Sequence, residues 1–530
     1  MSIRAYILLF LLGLIPPVVI AQFQPTPGYL DSDYYFAGGI QLATGKGFTE
    51  PYLWNYLDGS TALPHPSHSY WMPMASMVAA LGMILTGQTT FASGRILFIL
   101  IAATIPPLTS GLAFTFSRNR ELAFTSGLLA IFSVYHAPFV GVTDNFGLFM
   151  LFGGLYFVVA TQLIENRARK KNWFLLGALS GLLSLSRTDG LLWLALSILF
   201  VIWRRDRPEP SFGGPGIRLA LKKTALMNFL SILVGFLLVM APWYLRNLNL
   251  YGTLMAPGGS RALWLGNYDQ TFTYPPSQLT LDSFLSLGWS KIIDDRAWAL
   301  GINLQSAFAA HGGIILFPFI VAGIVAFRRD DRVRLAGIGW LVLFTVMTVV
   351  FPFAGARGAF FHAGAAMQPM WWSLAPIGLE SILGALRKRK WGNEQTRIIF
   401  RSALLLIALI LTVFVVYLRL FSLGWGEGEE SYSSVEQFLA GKGIQPDDIV
   451  IVRNAPGYYL ETERSAITIP YGGEKVILDV ARQFHARYLV LEPEAAIEPV
   501  QSLFRQPDAH PDFFYLGDVG DTRVFRIDLE

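Results

Sequence analysis

Cysteine is absent from the 530 residues of this chain, and charged residues make up only 15% of it. The absence of cysteine excludes disulfide bonds, thiolate nucleophiles and zinc sites built on cysteine. Soluble proteins have nearer a quarter of their residues charged, so the composition points away from a soluble enzyme. The net charge of +4 is too small to indicate a nucleic-acid-binding surface, so no nucleic-acid partner is predicted.

Hydrophobic residues are abundant instead, at 53%, and they gather into uncharged runs with Trp and Tyr near their ends. A helix needs roughly 20 apolar residues to cross a bilayer, so the runs predict about eleven spans in a helical membrane bundle. The predicted spans are residues 3–21, 93–116, 122–140, 146–163, 173–186, 190–203, 225–245, 312–327, 335–353, 360–386 and 398–420. Residues 19–21 would also suit cleavage of a signal peptide, although Pro16 and Pro17 and the length of the first run favour a span.

Basic residues decide how the chain crosses the bilayer. With the N-terminus in the cytoplasm, all dense basic clusters fall on the cytoplasmic side, as the positive-inside rule requires. The clusters are Arg118/Arg120, Arg167/Arg169/Lys170/Lys171, Arg204/Arg205/Arg207, Arg328/Arg329/Arg332/Arg334 and Arg387/Lys388/Arg389/Lys390. They would move outside if residues 71–85 also crossed, so we interpret that stretch as an interfacial or re-entrant helix. The sequence therefore predicts a multi-pass plasma-membrane protein, and an outward-facing domain on this architecture suggests a bacterial one.

Two domains are expected. Residues 1–423 form the transmembrane domain, with juxtamembrane helices in a first outer loop at 22–92 and a further outer loop at 246–311. Residues 424–530 become charged and alternating, which predicts a small extracytoplasmic α/β domain. Its predicted helices are residues 434–440 and 474–485, and its predicted strands are 448–453, 487–492, 513–516 and 523–527.

Charged residues at the tip of a predicted hairpin have two interpretations. Residues 173–186 and 190–203 are short apolar segments joined by Arg187-Thr188-Asp189-Gly190. An Arg and an Asp at membrane depth are unfavourable unless they pair or face a wet cavity. An ion pair that holds the turn and a substrate-facing role both remain open.

Asp31 and Asp33 open the first outer loop, and residues 33–44 have the spacing of an amphipathic juxtamembrane helix. A carboxylate at this boundary can act as a general base on an acceptor hydroxyl or amine. It can equally stabilise the N-terminus of the helix, and spacing alone favours that second reading.

Four stretches of the sequence carry a family resemblance. Residues 31–37, Asp-Ser-Asp-Tyr-Tyr-Phe-Ala, followed by Gly-Lys-Gly-Phe at 45–48, resemble the opening outer-loop signature of protein O-mannosyltransferases and lipid A aminoarabinose transferases. His65-Pro66-Ser67 resembles that family's basic-Pro-Pro segment, although Ser67 replaces the second proline and His65 stands in place of a lysine. Thr143-Asp144 and residues 243–252 resemble two further family stretches. The similarity covers residues 3–252 and, loosely, 312–420.

The resemblance implies the C-type glycosyltransferase fold and a polyprenyl-phosphate sugar as the donor. It places Asp31 on the family's catalytic acidic position, where Asp33 could share or take over the role, and Asp144 on a second acidic position. Such a site would invert the sugar in a single displacement. The leaving phosphate needs positive groups near it, because charge develops there in the transition state. The candidates for these contacts are His65, His68, Arg187, Arg246 and Arg357, each of which can also be an interfacial side chain.

A bound divalent metal is a weaker expectation. His65 and His68 are three residues apart, and Asp31, Asp33 and Asp144 could converge, but two histidines in a proline-rich loop are more typical of packing. We therefore predict no metal ligand. The acceptor (protein, lipid or glycan) is left open by the sequence. A polytopic transporter and a non-catalytic lipid-binding membrane protein remain as alternatives, although no inverted repeat supports the transporter.

Overall fold

The computed structural model describes residues 1–165, 170–205, 215–388, 393–426, 430–496 and 498–529. The described chain divides into two compact units, each built from segments that are distant in sequence. The first unit comprises Met1–Phe23, Ile96–Arg246 and Arg296–Ser422, and the second comprises Gln24–Arg95, Asn247–Asp295 and Leu423–Glu530. Arg167, Arg169, Arg207, Arg389 and Lys390, which belong to the predicted basic clusters, lie outside the described residues.

The first unit is helical. Its α-helices, some of which continue into segments of the second unit, are Ile3–Ala21, Phe91–Ser117, Arg120–Phe132, Phe146–Ile164, Lys170–Ser186, Leu191–Arg205, Pro215–Tyr251, Trp289–Ser306, Phe317–Ala326, Asp331–Thr345, Pro352–Ala354, Phe360–Gly364, Gln368–Lys388 and Glu394–Tyr417. Short 3₁₀ or π turns lie at Val134–His136, Thr188–Gly190, Ala307–His311, Ile314–Leu316, Val346–Val350, Gly355–Ala359, Ala365–Met367 and Leu418–Ser422. One continuous core of buried apolar side chains joins most of these helices, with Phe149, Trp193 and Met367 among its fully buried members.

Several of these helices are membrane spans by length and composition. Within the described ranges, six helices are long and apolar enough to cross a membrane, or seven if one bent pair forms a single span. They are Ile3–Ala21, Phe91–Ser117, Phe146–Ile164, Thr224–Tyr251, Asp331–Val350 and Gln395–Ser422, with the pair Trp289–His311 and Ile314–Ala326 bent by 84°. The chain is therefore a helical membrane protein.

The expected count of eleven spans is not confirmed. Some of the predicted runs form helices too short to cross a bilayer alone, such as Arg120–Phe132 with 13 residues and Leu191–Arg205 with 15. At about 1.5 Å per residue, a helix of roughly 15 residues reaches only about 22 Å, against about 30 Å of hydrocarbon. Hydropathy detects an apolar run but not the point where its helix ends.

The second unit contains a mixed six-stranded sheet. The strands Tyr52–Leu53, Ala466–Thr468, Ile449–Val452 and Ala486–Leu491 run parallel in that order, and Thr522–Ile527 and Phe513–Val519 complete the sheet in antiparallel pairing. A separate two-stranded ladder pairs Thr49–Glu50 with His65–Pro66. The α-helices of this unit are Leu30–Ala43, Met74–Thr86, Pro257–Arg261, Leu281–Leu285, Glu430–Gly441, Ala455–Thr462, Glu474–Phe484 and Gln501–Arg505.

The small sheet that the tail sequence predicts is present, with one edge strand drawn from the first loop. Tyr52–Leu53 pairs with Ala466–Thr468, and the Tyr56 hydroxyl donates a hydrogen bond to the carbonyl of Thr468. Leu53 and Tyr56 belong to the same apolar core as Ile477 and Phe484 of the tail. Residues 49–56 and the tail are thus packed as one body.

Two helices of the first loop lie against each other at very short range. A Cβ atom on Gly39 of helix Leu30–Ala43 would meet the Ala79 methyl at 2.8 Å, so only glycine permits this approach. The partner helix, Met74–Thr86, has 13 residues and corresponds to the stretch predicted at 71–85. Its length of about 20 Å is too short for a full span, in line with the interpretation of a helix that does not cross.

Candidate functional site

The two acidic residues of the first loop lie in the first turn of helix Leu30–Ala43, hereafter the acidic helix. Its N-cap, Tyr29, makes no side-chain capping bond, so the carboxylates of Asp31 and Asp33 supply the negative charge that a helix N-terminus favours. Their environments differ, because Asp33 is 1% exposed whereas Asp31 is only partly buried. One turn of helix thus presents one enclosed and one accessible carboxylate.

Asp33 is bound to the tail. Its Oδ2 accepts a hydrogen bond of 2.8 Å from Nδ2 of Asn454, and Oδ1 of Asn454 accepts one from the Gly457 amide. Asn454 is the N-cap of helix Ala455–Thr462, hereafter the tail helix. About two turns along the acidic helix, Gln41 donates a second hydrogen bond of 2.9 Å to the hydroxyl of Tyr459. The tail helix therefore fixes one face of the acidic helix at both ends.

His65 lies inside a buried charge cluster. Its Nδ1 is 3.1 Å from Oε1 of Glu50, and its Nε2 is 2.6 Å from Oδ2 of Asp58. Burial by itself would lower the pKa of His65, but the hydrogen bonds and charges of Asp58 and Glu50 outweigh it and raise the pKa to about 9. Conversely, burial would raise the pKa of Asp58, and the His65 contact reverses that shift and lowers it. The imidazole is therefore protonated at neutral pH, with a carboxyl group against each nitrogen.

His68 is also enclosed, with 1% of its surface exposed. Its ring nitrogens lie 2.8 Å from the Ser67 hydroxyl and 3.0 Å from the Ser76 hydroxyl. Its backbone has φ 61°, and its amide donates to the hydroxyl of Tyr34. Neither predicted histidine faces open solvent, and both tie parts of the first loop together.

In the first unit, Asp144 contacts a histidine that the sequence interpretation did not include. Oδ2 of Asp144 is 3.2 Å from Nε2 of His362, and Oδ1 accepts a hydrogen bond from the Asn145 amide. The other ring nitrogen of His362 is 3.0 Å from the carbonyl of Gly358, and the ring stacks on Phe146 at 4.0 Å. This arrangement holds the imidazole in place and offers a carboxylate and an imidazole side by side, which are common metal-ligand types.

The three predicted arginines lie in different surroundings of the first unit. Arg187 forms an ion pair of 3.0 Å with Asp189, and both side chains are largely buried. Arg246 lies over the ring of Trp243 at 4.4 Å. Arg357 is exposed in the π turn Gly355–Ala359, next to Gly358 whose φ is 131°. The ion pair at the hairpin tip is thus present, and the charge of Arg187 is balanced locally.

Sequence reasoning missed four of these residues. Asn454 carries a local signal, because Asn-Ala-Pro places a good N-cap ahead of a proline in the first helical turn. No local sequence signal marks Glu50, Asp58 or His362. The role of each depends on a contact with a residue outside its own helix, strand or turn.

Comparison with known proteins gives matches in structure only. No protein-family model and no curated protein sequence matches the chain. The oligosaccharyltransferase AglB from Archaeoglobus fulgidus, solved with an inhibitory peptide and a dolichol-phosphate, matches with a TM-score of 0.57 at 13% identity over 98% of this chain and 73% of that one. The A. fulgidus oligosaccharyltransferase in complex with Zn and sulfate gives 0.52 at 12% identity, over 95% and 71%. ArnT from Cupriavidus metallidurans gives 0.48 at 13% identity, over 99% and 98%.

The likeness to the archaeal oligosaccharyltransferase extends over nearly the whole chain. At this level of identity, the match concerns the fold. The C-type glycosyltransferase fold implied by the four sequence stretches is confirmed.

Proposed function

We propose that this chain is a membrane glycosyltransferase that moves a sugar from a polyprenyl-phosphate donor to an extracytoplasmic acceptor. One observation carries the proposal, namely a shared fold over 98% of the chain with an oligosaccharyltransferase solved with a dolichol-phosphate. A lipid-phosphate donor also suits a chain with at least six apolar spans among its described residues, because the lipid tail can stay in the bilayer while the sugar reacts at its surface.

Asp31 is the general base in this proposal. It removes a proton from the acceptor hydroxyl or amine while that atom attacks the anomeric carbon of the donor sugar. The bond between the anomeric carbon and the phosphate oxygen breaks, polyprenyl phosphate leaves, and the sugar inverts. A base must be reached by the acceptor, and the partly exposed Asp31 meets that requirement.

Asp33 has a positioning role rather than a share in proton transfer. Its carboxylate is enclosed and already accepts a hydrogen bond from the side-chain amide of Asn454, which leaves little access for an acceptor. The hydrogen bond from Asn454 to Asp33 fixes the first turn of the acidic helix, and with it the backbone that carries Asp31.

The leaving phosphate is stabilised by Arg246 and Arg357 in this account. His65 is unsuited because its two nitrogens already contact carboxyl groups, whose charge would repel a phosphate. His68 is enclosed by serine hydroxyls, and Arg187 is balanced by Asp189. Asp144 occupies the second acidic position, where it orients the ring of His362.

The test is transfer of labelled sugar from synthetic polyprenyl-phosphate sugars by the purified chain in nanodiscs, with peptide, lipid A and glycan acceptors. We expect Asp31→Asn to lower turnover by about 10² to 10⁴, the usual effect of removing a general base. Asp33→Asn should lower it less and should also lower the melting temperature. The matched control is Asp282→Asn, because Asp282 is exposed in the first turn of another helix, Leu281–Leu285.

Turnover that survives Asp31→Asn would remove Asp31 from the reaction. Loss of turnover in Asp33→Asn alone would assign the role of general base to Asp33 instead of Asp31. Absence of transfer from every lipid donor by the folded wild type would overturn the glycosyltransferase assignment and favour the transporter or lipid-binding alternatives.

A further inference from the structure

A cleft of about 430 Å³ lies within the second unit, between the segment 264–287 and the tail. Its volume falls in the range of sites that bind small molecules, which is about 300 to 1,000 Å³. The side chains that define its character are Trp264, Gln270, Tyr274, Gln278 and Tyr471. None of them is among the residues proposed for catalysis.

The chemistry of the lining is aromatic and amide-rich. Three rings and two carboxamides surround the cavity together with the hydroxyls of Thr273 and Ser283, and no charged side chain occurs among the described residues that line it. Such a surface is unsuited to a phosphate or a carboxylate, which requires a cation or an array of donors. Carboxamides both donate and accept hydrogen bonds, as a ligand rich in hydroxyls requires.

One buried polar group lacks a partner at this cleft. Thr273 is only 5% exposed, and its Oγ1 makes no hydrogen bond with any residue that the structure describes. A buried hydroxyl in that state is unfavourable until a water or a ligand satisfies it. Because Thr273 lines the cleft, a ligand hydroxyl in the cavity would supply the missing bond.

The walls are fixed before any ligand arrives. Thr273 and Tyr471 form a parallel β-bridge, and the Tyr471 amide donates to the carbonyl of Phe272 at 2.9 Å. The hydroxyl of Tyr471 accepts a hydrogen bond of 3.0 Å from Asn267, while Oε1 of Gln270 accepts one of 2.6 Å from the amide of Gly266. A preorganised wall loses little conformational entropy when it binds, which favours a built site over a chance gap.

We propose that this cleft binds a neutral carbohydrate, and that the acceptor of the sugar-transfer reaction carries that carbohydrate. The apolar faces of a pyranose ring stack on Trp264, Tyr274 and Tyr471, while its hydroxyls bond to Gln270, Gln278 and Thr273. Binding of the carbohydrate follows from the cleft alone, whereas its identity as the acceptor rests on the proposed function.

The experiment is saturation-transfer NMR and calorimetry on the full chain in nanodiscs. The probes are mannotriose, cellotriose, chitotriose, the acidic trigalacturonate and an uncharged pentapeptide. We expect at least one neutral trisaccharide to bind, and neither the acidic one nor the peptide. Trp264→Ala should weaken that binding about tenfold, as expected when one stacking ring is lost.

Two further variants keep the test independent of folding. Gln278→Trp changes an exposed residue of the lining, so it should fill the cleft and abolish binding without unfolding the protein. Trp289→Ala removes a tryptophan that lies two residues beyond this segment, is 72% exposed and is outside the lining, so this variant should bind like the wild type. Equal binding by the wild type, Trp264→Ala and Gln278→Trp would overturn the proposal, as would binding of none of the neutral probes.

The two proposals fail in different ways. Donor turnover by a protein that binds no neutral trisaccharide would overturn the carbohydrate site and leave the glycosyltransferase assignment intact. Trisaccharide binding lost in Gln278→Trp, in a chain with no turnover of any lipid donor, would uphold the site but overturn its role as acceptor site.

Discussion

At the scale of single residues, His65 has the most unusual surroundings in the first loop. The sequence suggested a phosphate contact, because His65 stands where the resemblance places a basic residue ahead of the prolines. Glu50 and Asp58, fifteen and seven residues earlier, fold back onto its two nitrogens. Local sequence shows neither contact, since both depend on the ladder between Thr49–Glu50 and His65–Pro66.

This cluster predicts a pH dependence of stability. The folded pKa of His65 is about 9, above its ordinary value near 6.5, so the folded state holds the proton more tightly. The cluster stabilises the fold fully below about pH 6.5, and this contribution is lost as pH rises through 9. A shift of this size corresponds to about 3 kcal/mol.

We therefore expect the melting temperature of the wild type to fall between pH 6.5 and 9, and that of His65→Gln to fall less across the same window. Differential scanning fluorimetry in nanodiscs measures both. His485→Gln is the control, because His485 ends a helix in the tail and its ring forms an ion pair with neither Glu50 nor Asp58, so this variant should keep the wild-type slope. Parallel pH profiles for all three proteins would contradict this account of the cluster.

At the scale of elements, the acidic helix and the tail helix behave as a pair. The helical spacing of its residues predicts the acidic helix at 33–44, and it is found at Leu30–Ala43, where residues 32–39 are buried on every face rather than along one. The tail helix Ala455–Thr462 is not expected, since its eight residues are too few for a periodic pattern. The same limit applies to the strand Tyr52–Leu53, whose neighbour lies more than 400 residues away.

A charge exchange tests whether the Asp33–Asn454 hydrogen bond joins these helices. Asn454→Asp keeps a good N-cap but places a second carboxylate against Asp33, so the melting temperature should fall by the equivalent of about 2 kcal/mol. Adding Asp33→Asn restores a donor and an acceptor, and should recover most of the loss. Thermal unfolding of the two single variants and the double variant measures the coupling.

Asn454→Ser serves as the matched control, because serine also caps a helix but is too short to reach Asp33. It should lower stability less than Asn454→Asp. Additive effects in the double variant, with no recovery, would show that the two helices are held by other contacts.

At the scale of the whole chain, composition and hydropathy were sufficient for a helical membrane protein, and the family resemblance of four stretches was sufficient for the C-type fold. Neither gave the number of spans. Most strands of the tail sheet were predicted from the sequence, but the tail was predicted to form a separate domain. Its edge strand comes from the first loop, so the sheet and the acidic helix belong to one unit.

Removal of the tail after residue 426 should therefore expose the first loop. Tyr52–Leu53 would lose the strand beside it, and Asp33 and Gln41 would lose their tail contacts. We expect proteases to cut the truncated chain between residues 44 and 72, where the full chain resists, and we expect sugar transfer to cease although Asp31 is still present. Mass spectrometry of limited digests identifies the cuts. Unchanged resistance of residues 44–72 would show that the first loop folds without the tail.

The central claim is that Asp31, as general base, is required for the release of polyprenyl phosphate from a sugar-bearing lipid. Phosphorus NMR of a synthetic polyprenyl-phosphate sugar, incubated with the nanodisc-embedded chain and an acceptor, follows that release directly. The account predicts that the donor phosphodiester signal is replaced by a phosphomonoester signal with the wild type and with Asp282→Asn, and that Asp31→Asn is slower by about 10² or more. Equal release by Asp31→Asn, or an unchanged donor signal with the folded wild type, would contradict it.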